Sequence, residues 1–221
     1  MKKLICMLLS LSLLCAPALA LKGEVANPDD LPYIPSDGGP SSWAVSEVEK
    51  AAAAGLIPKL TGNPAYTDAI TREQFAELVV QSVEVMLDRE LDAAPSGTFT
   101  DSSNPSVLKA SQTGIVNGVG EGKFEPKTTT NREQIATMIF RAIRYVEKDT
   151  GKVVAPNAGS LAGFTDKDAV SSWATEGVGT LAANSIMNGT SATELSPAEA
   201  CTVEQSILLC YRLYEKFQSA Q

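Results

Sequence analysis

The 221-residue sequence contains no histidine. That absence removes the commonest general base and the commonest metal ligand together. Cysteine is nearly as scarce: Cys6 and Cys15 stand near the start, and Cys201 and Cys210 near the end. The last two fall just before and within one expected helix. Nine helical residues rise ~13 Å, whereas a disulfide needs Cα atoms within ~7 Å, so no intramolecular bridge is expected. Zinc-ligand spacing, a nucleophile elbow and a phosphate-binding loop are missing as well. Asp166-Lys167-Asp168 opens like a calcium loop but lacks the remaining ligands and the glycine. No metal or cofactor is expected, and no acidic pair stands in a recognisable catalytic setting. Basic charge is in deficit, with 18 Lys+Arg against 26 Asp+Glu, which disfavours nucleic acid as a partner.

Long apolar runs are also lacking. The stretch from Leu4 to Leu14 is shorter than the ~20 residues a spanning helix needs. Lys2 and Lys3 precede it and Ala18-Leu19-Ala20 follows, the pattern of a signal peptide over residues 1–20. Cys15 opens a lipoprotein alternative, against which Leu14 is bulky where a lipobox wants a small residue. Cleavage leaves 16 basic and 26 acidic residues, a net charge of −10, and no membrane span.

What remains is repetitive. Three segments share a plan of opening, short helix, Gly/Asn turn, loop and long helix. The long helices carry the clearest stripes: Phe75, Leu78, Val79, Val83, Met86 and Leu87; then Ile135, Met138, Ile139, Ile143 and Val146; then Leu209, Cys210, Leu213, Tyr214 and Phe217. This i, i+3, i+4, i+7 spacing belongs to amphipathic helices with one buried face. Cys210 takes the place of Val79 and Ile139, and reads as a small core residue. The helix starts also match: Thr71-Arg72-Glu73-Gln74, Asn131-Arg132-Glu133-Gln134 and Thr202-Val203-Glu204-Gln205. Thr or Asn at the N-cap with Gln at N3 forms a capping box, and Glu at N2 suits the positive helix end.

The remaining parts recur less regularly. Turns read Gly55-Leu56-Ile57, Gly114-Ile115-Val116-Asn117-Gly118 and Ser185-Ile186-Met187-Asn188-Gly189. Openings read Pro35-Ser36-Asp37, Phe99-Thr100-Asp101 and Phe164-Thr165-Asp166, with Trp43-Ala44 and Trp173-Ala174 following in the outer copies. The expected boundaries are a linker at 21–42, repeat 1 at 43–91, repeat 2 at 99–148 and repeat 3 at 164–221. One such repeat is too small to bury a good core, so the three should pack into one body.

These motifs resemble the S-layer homology family: Phe-x-Asp opening, Trp-Ala helix, Gly-Ile-Ile-x-Gly turn, Asp-Gly-x-Phe-x-Pro loop and Ile-Thr-Arg-Ala-Glu helix start. Repeat 2 carries most of the pattern, from Phe99 to Gln134. The resemblance implies an all-α fold of three helical repeats packed as a pseudo-threefold bundle. It implies a cell-surface or cell-wall protein of a bacterium that binds wall polysaccharide noncovalently, often a pyruvylated secondary polymer, and that is not an enzyme. By match, Arg72 and Arg132 would take the ligand carboxylate. Asp37, Asp101 and Asp166 would bond sugar hydroxyls or orient the groove. Trp43 and Trp173 would wall it, and Gly122 would allow close backbone approach. Another exported protein as partner is the alternative, favoured by the lack of any cargo domain.

The residues themselves leave alternatives open. A guanidinium beside unpaired helix N–H groups makes an anion site, or it pairs with a neighbouring carboxylate. The tryptophans read either as groove walls or as core. The opening aspartates either serve the groove or cap the next helix. Val203 replaces the motif Arg in repeat 3, Glu121 replaces the loop Asp, and Leu108 is placed where repeat 2 would carry Trp, so one or two working grooves are expected at most.

Overall fold

The computed structural model describes residues 38–220; the expected signal peptide, most of the expected N-terminal linker and Asp37 lie outside them. The described residues are all-α, built as three pairs of a short and a long helix: α1 (Val45–Ala53) with α2 (Arg72–Leu87), α3 (Pro105–Gln112) with α4 (Arg132–Thr150), and α5 (Thr175–Ala183) with α6 (Val203–Ser219). No helix among them is long and apolar enough to cross a membrane.

The three long helices start as their sequences dictate. Thr71, Asn131 and Thr202 each accept the N–H of the glutamine at N3, and each glutamine side chain returns a bond to the cap N–H. Such caps are worth ~1 kcal/mol each. α4 ends at Gly151, whose φ of 75° is a left-handed stop that glycine adopts without strain.

The long helices pack on one another, and each short helix packs on the long helix of the pair before it: α3 on α2, α5 on α4 and α1 on α6. The last contact brings the two ends of the described chain together. The stripes expected from periodicity are buried, with Phe75, Leu78, Ile135, Ile139, Ile143 and Leu213 fully inside. Cys201 and Cys210 are free and buried, and burial pushes the Cys210 thiol up to about 12. Between α4 and α5, Val154 and Ala155 are buried, and the Asn184 side chain holds the Asn157 backbone: its Oδ1 accepts from Asn157 N–H at 3.2 Å and its Nδ2 donates to Asn157 O at 2.9 Å.

A closed ring of backbone hydrogen bonds joins the loops before the long helices. Ile70 N–H donates to Cys201 O at 2.9 Å, Cys201 N–H to Thr130 O at 3.1 Å, and Thr130 N–H to Ile70 O at 3.0 Å. The free N–H groups at each helix start go to the next loop in the same order. Arg72 and Glu73 donate to Thr128 and Pro126, Arg132 and Glu133 to Glu199 and Pro197, and Val203 and Glu204 to Asp68 and Tyr66. Helix N-termini leave such donors unpaired, and burial would penalise them heavily without partners.

The N2 glutamates make the second link. Glu133 accepts from Ser171 N–H (2.8 Å) and Oγ (2.9 Å), and Glu204 accepts from Ser41 N–H and Oγ, both at 2.8 Å. Each therefore holds the turn that leads into a short helix as well as suiting its own helix end. Glu73 lies beside Ser102 and Asn104; burial and then Glu77 push its carboxyl pKa up, against the hydrogen bonds from those two side chains.

Candidate functional site

Two grooves share one construction. The first, of about 360 Å³, is walled by Arg72, by the turn Asn117-Gly118-Val119, by Gln134, Thr137, Met138 and Arg141 of α4, and by Trp173. The second, of about 400 Å³, is walled by Arg132, by the turn Asn188-Gly189-Thr190, by Gln205, Leu208, Leu209 and Arg212 of α6, and by Trp43. Each groove thus takes its guanidinium from one helix pair, its turn and helix face from the next, and its tryptophan from the remaining pair. Both volumes suit a small ligand or one segment of a polymer, in the ~300–1,000 Å³ range usual for such sites.

The arginines are held from behind. Arg72 Nε donates to Phe124 O at 2.8 Å and Nη2 to Asn117 O at 3.1 Å, and the guanidinium lies 4.7 Å from the Phe124 ring centre. Arg132 repeats this: Nε to Leu195 O at 2.7 Å and Nη2 to Asn188 O at 2.7 Å. Both side chains are mostly buried, at 9% and 7% exposure. Neither is in an ion pair among the described residues, so backbone carbonyls hold them instead of the neighbouring carboxylate that the sequence left open. Burial lowers both guanidinium pKa values, and nearby acids (Glu125 and Asp101 for Arg72) act against it. Arginine stays charged through such shifts. A fixed cation with donors to spare, at the edge of a groove, is suited to gripping a carboxylate.

Trp43 and Trp173 are exposed, at 58% and 56%. The core alternative for them is therefore wrong. Each stands two residues before the first residue of its short helix, Val45 or Thr175, and it is the residue that follows, Ala44 or Ala174, that enters the core. The same register in the middle pair gives Ser103. Leu108 lies inside α3 and is buried, so it does not take the tryptophan's place.

Asp101 and Asp166 each grip the backbone of their own repeat's loop. Asp101 accepts from Phe124 N–H and Glu125 N–H, both at 2.8 Å; Asp166 accepts from Leu195 N–H (3.0 Å) and Ser196 N–H (2.7 Å). They cap no α-helix; Asn104 caps α3. The bond from Phe124 N–H leads in lowering the Asp101 carboxyl pKa. At Asp166 burial acts upward, and the N–H groups of Leu195 and Ser196 outweigh it to leave the pKa lowered. The peptides they fix supply Phe124 O and Leu195 O, the acceptors of the arginines. Gly122 lies in the hairpin 120–123 at φ 68°, its carbonyl accepting from Thr100 N–H at 2.8 Å; it is not among the residues walling the first groove.

The sequence model of the S-layer homology domain matches residues 98–136 and 163–203. These stretches contain both turns, both opening aspartates, Trp173 and Arg132. The chain carries S-layer homology domains. Such domains are cell-wall anchoring modules in bacterial surface proteins. Three relatives align in part: an amylopullulanase of Thermoanaerobacterium thermosulfurigenes, 29% identical over 48% of this chain; an endoglucanase of Bacillus sp. (strain KSM-635), 35% over 44%; and an exoglucanase XynX of Acetivibrio thermocellus, 27% over 48%. The chain covers only 6%, 11% and 10% of those proteins' own lengths.

The corresponding third position of the S-layer homology plan is built differently. Val203 is fully buried where the other long helices carry arginine. Glu77, at the position of Thr137 and Leu208, is occupied by Thr61 N–H and Oγ1 (2.9 and 2.6 Å) and by Asn104 Nδ2 (2.7 Å). This site presents a bonded carboxylate and no guanidinium. The residues that sequence reasoning passed over as site residues are Gly118, Gly189, Asn117, Asn188, Arg141 and Arg212. The repeated Asn-Gly dipeptide was a visible signal for four of them.

Proposed function

We propose that this is an exported bacterial surface protein that binds cell-wall polysaccharide noncovalently and catalyses no reaction. Its binding unit is three S-layer homology repeats, at 43–91, 99–148 and 164–221, in a pseudo-threefold arrangement behind a signal peptide. The observation that carries this reading is the duplicated groove. Two separate sites each bring together a buried guanidinium, a turn backbone and an exposed tryptophan.

The parts divide the work on an acidic sugar. Arg72 and Arg132 take a carboxylate, such as that of a pyruvate ketal on a secondary wall polymer, through the guanidinium donors left over from their backbone bonds. Trp43 and Trp173 cover an apolar ring face. Asp101 and Asp166 act by orienting the loops, and Asp37 is the residue of the first repeat that matches them in sequence. The third position serves as scaffold. Local cations also matter because the chain is acidic overall and repels anionic polymers at long range.

The test is cosedimentation of the purified protein with native walls and with walls stripped of their secondary polymer. Binding to native walls alone is the expected result. Equal binding to both, or to neither, contradicts the reading.

A further inference from the structure

The two grooves differ at one charge. In the α6 groove, Arg212 is locked in a two-pronged ion pair: Nε donates to Glu47 Oε1 and Nη2 to Glu47 Oε2, both at 2.8 Å. Glu47 stands on α1, the short helix that packs on α6. In the α4 groove the corresponding arginine is Arg141, nine residues after Arg132 as Arg212 is nine after Val203. The helix packed on α4 is α5, and its residue at the position of Glu47, the third of the helix, is Gly177. The carboxylate is therefore missing. A Cβ at Gly177 would already stand 3.3 Å from Phe140 Cβ and Thr137 Cα, so the close packing of α5 on α4 is what leaves no room for one. Arg141 makes no ion pair or hydrogen bond among the described residues, and it walls the groove beside Arg72 and Trp173.

We infer that the α4 groove selects a doubly anionic segment of the polymer, with Arg72 taking one anionic group and Arg141 a second, while the α6 groove accepts a singly anionic one. This deepens the proposed function and rests on it. A guanidinium already bonded at both prongs to a carboxylate contributes little to a second anion. An unpaired guanidinium in a partly enclosed groove contributes a charge-assisted hydrogen bond worth about tenfold in affinity. The two grooves are thus not duplicates, and one chain can read two charge states along a polymer.

The experiment uses two probes: a pyruvate-ketal N-acetylhexosaminide with one carboxylate, and the same sugar carrying a glycosidic phosphate as well. Backbone amide shifts of Gly118 and Gly189 report on the two grooves separately. At Gly118 the dianionic probe is expected to bind about tenfold tighter than the monoanionic one, and at Gly189 the two should bind alike. Arg141→Gln should remove the preference at Gly118. Glu47→Gln, which frees Arg212, should create one at Gly189, and this gain does not depend on the first variant folding well. Equal affinities of both probes at Gly118, with binding intact, overturn the inference and leave the proposed function standing. Binding of neither probe at either groove overturns both.

Discussion

At the scale of single residues, the arginines do two jobs at once. Their backbone bonds tie one helix pair to the next, so Arg72→Ala should unpair two carbonyls, Phe124 O and Asn117 O, and lose the stacking on Phe124. The expected cost is roughly 2–4 kcal/mol, read as a lower urea midpoint, and Arg132→Ala should behave alike. Loss of wall binding in these variants is therefore ambiguous unless stability is measured beside it. The aspartates give a pH signature. Asp101 and Asp166 have folded pKa values below the unfolded carboxylate value, so the stability they contribute is present above ~3.9 and is lost as pH falls through the lowered folded value. Glu73, with its pKa raised by burial, acts in the opposite sense as pH rises through its own range. Acid unfolding should show a component below about pH 4 that Asp101→Asn and Asp166→Asn remove. With no histidine present, no imidazole adds a transition near pH 6. Sequence alone could mark these arginines and aspartates by recurrence. It could not show their partners, because Arg72 and Phe124 are 52 residues apart and Arg132 and Leu195 are 63 apart.

At the scale of elements, the most legible features were local ones. Helix stripes repeat every three to four residues and capping boxes span four, so both can be read without knowing the fold. The exposure of Trp43 and Trp173 was not legible, because it depends on where the short helix begins relative to the core. The cross-pair partners of the N2 glutamates are not legible either. These glutamates suit their own helix ends, but Glu133 and Glu204 also hold Ser171 and Ser41 across helix pairs. The Asn-Gly turns set a further requirement. A Cβ on Gly118 would lie 2.7 Å from Lys123 O and 2.9 Å from the Phe99 ring, and one on Gly189 would press on the carbonyls of Glu194 and Ser191. Gly118→Ala should displace the turn that carries Asn117 O, loosening Arg72 behind it. Faster amide exchange at Val119 N–H, which bonds Lys123 O at 2.9 Å, is the expected outcome. Unchanged exchange there would separate the glycine from the groove's construction.

At the scale of the whole molecule, the described chain closes on itself. The loop ring through Ile70, Thr130 and Cys201 and the packing of α1 on α6 mean that no helix pair stands alone. Each groove consequently draws on all three pairs, and disrupting any pair should damage both. This is why one copy of the motif, read in isolation, says so little about binding. In the proposed function, the two grooves bind wall polysaccharide through their exposed tryptophans and fixed guanidinium groups. The tryptophans test it most cleanly, since both project from the core. The decisive measurement is the wall cosedimentation isotherm of the Trp43→Ala plus Trp173→Ala variant, taken with its urea midpoint. Affinity weakened about tenfold or more at a nearly unchanged midpoint is the expected result. Wild-type affinity in that variant would contradict it.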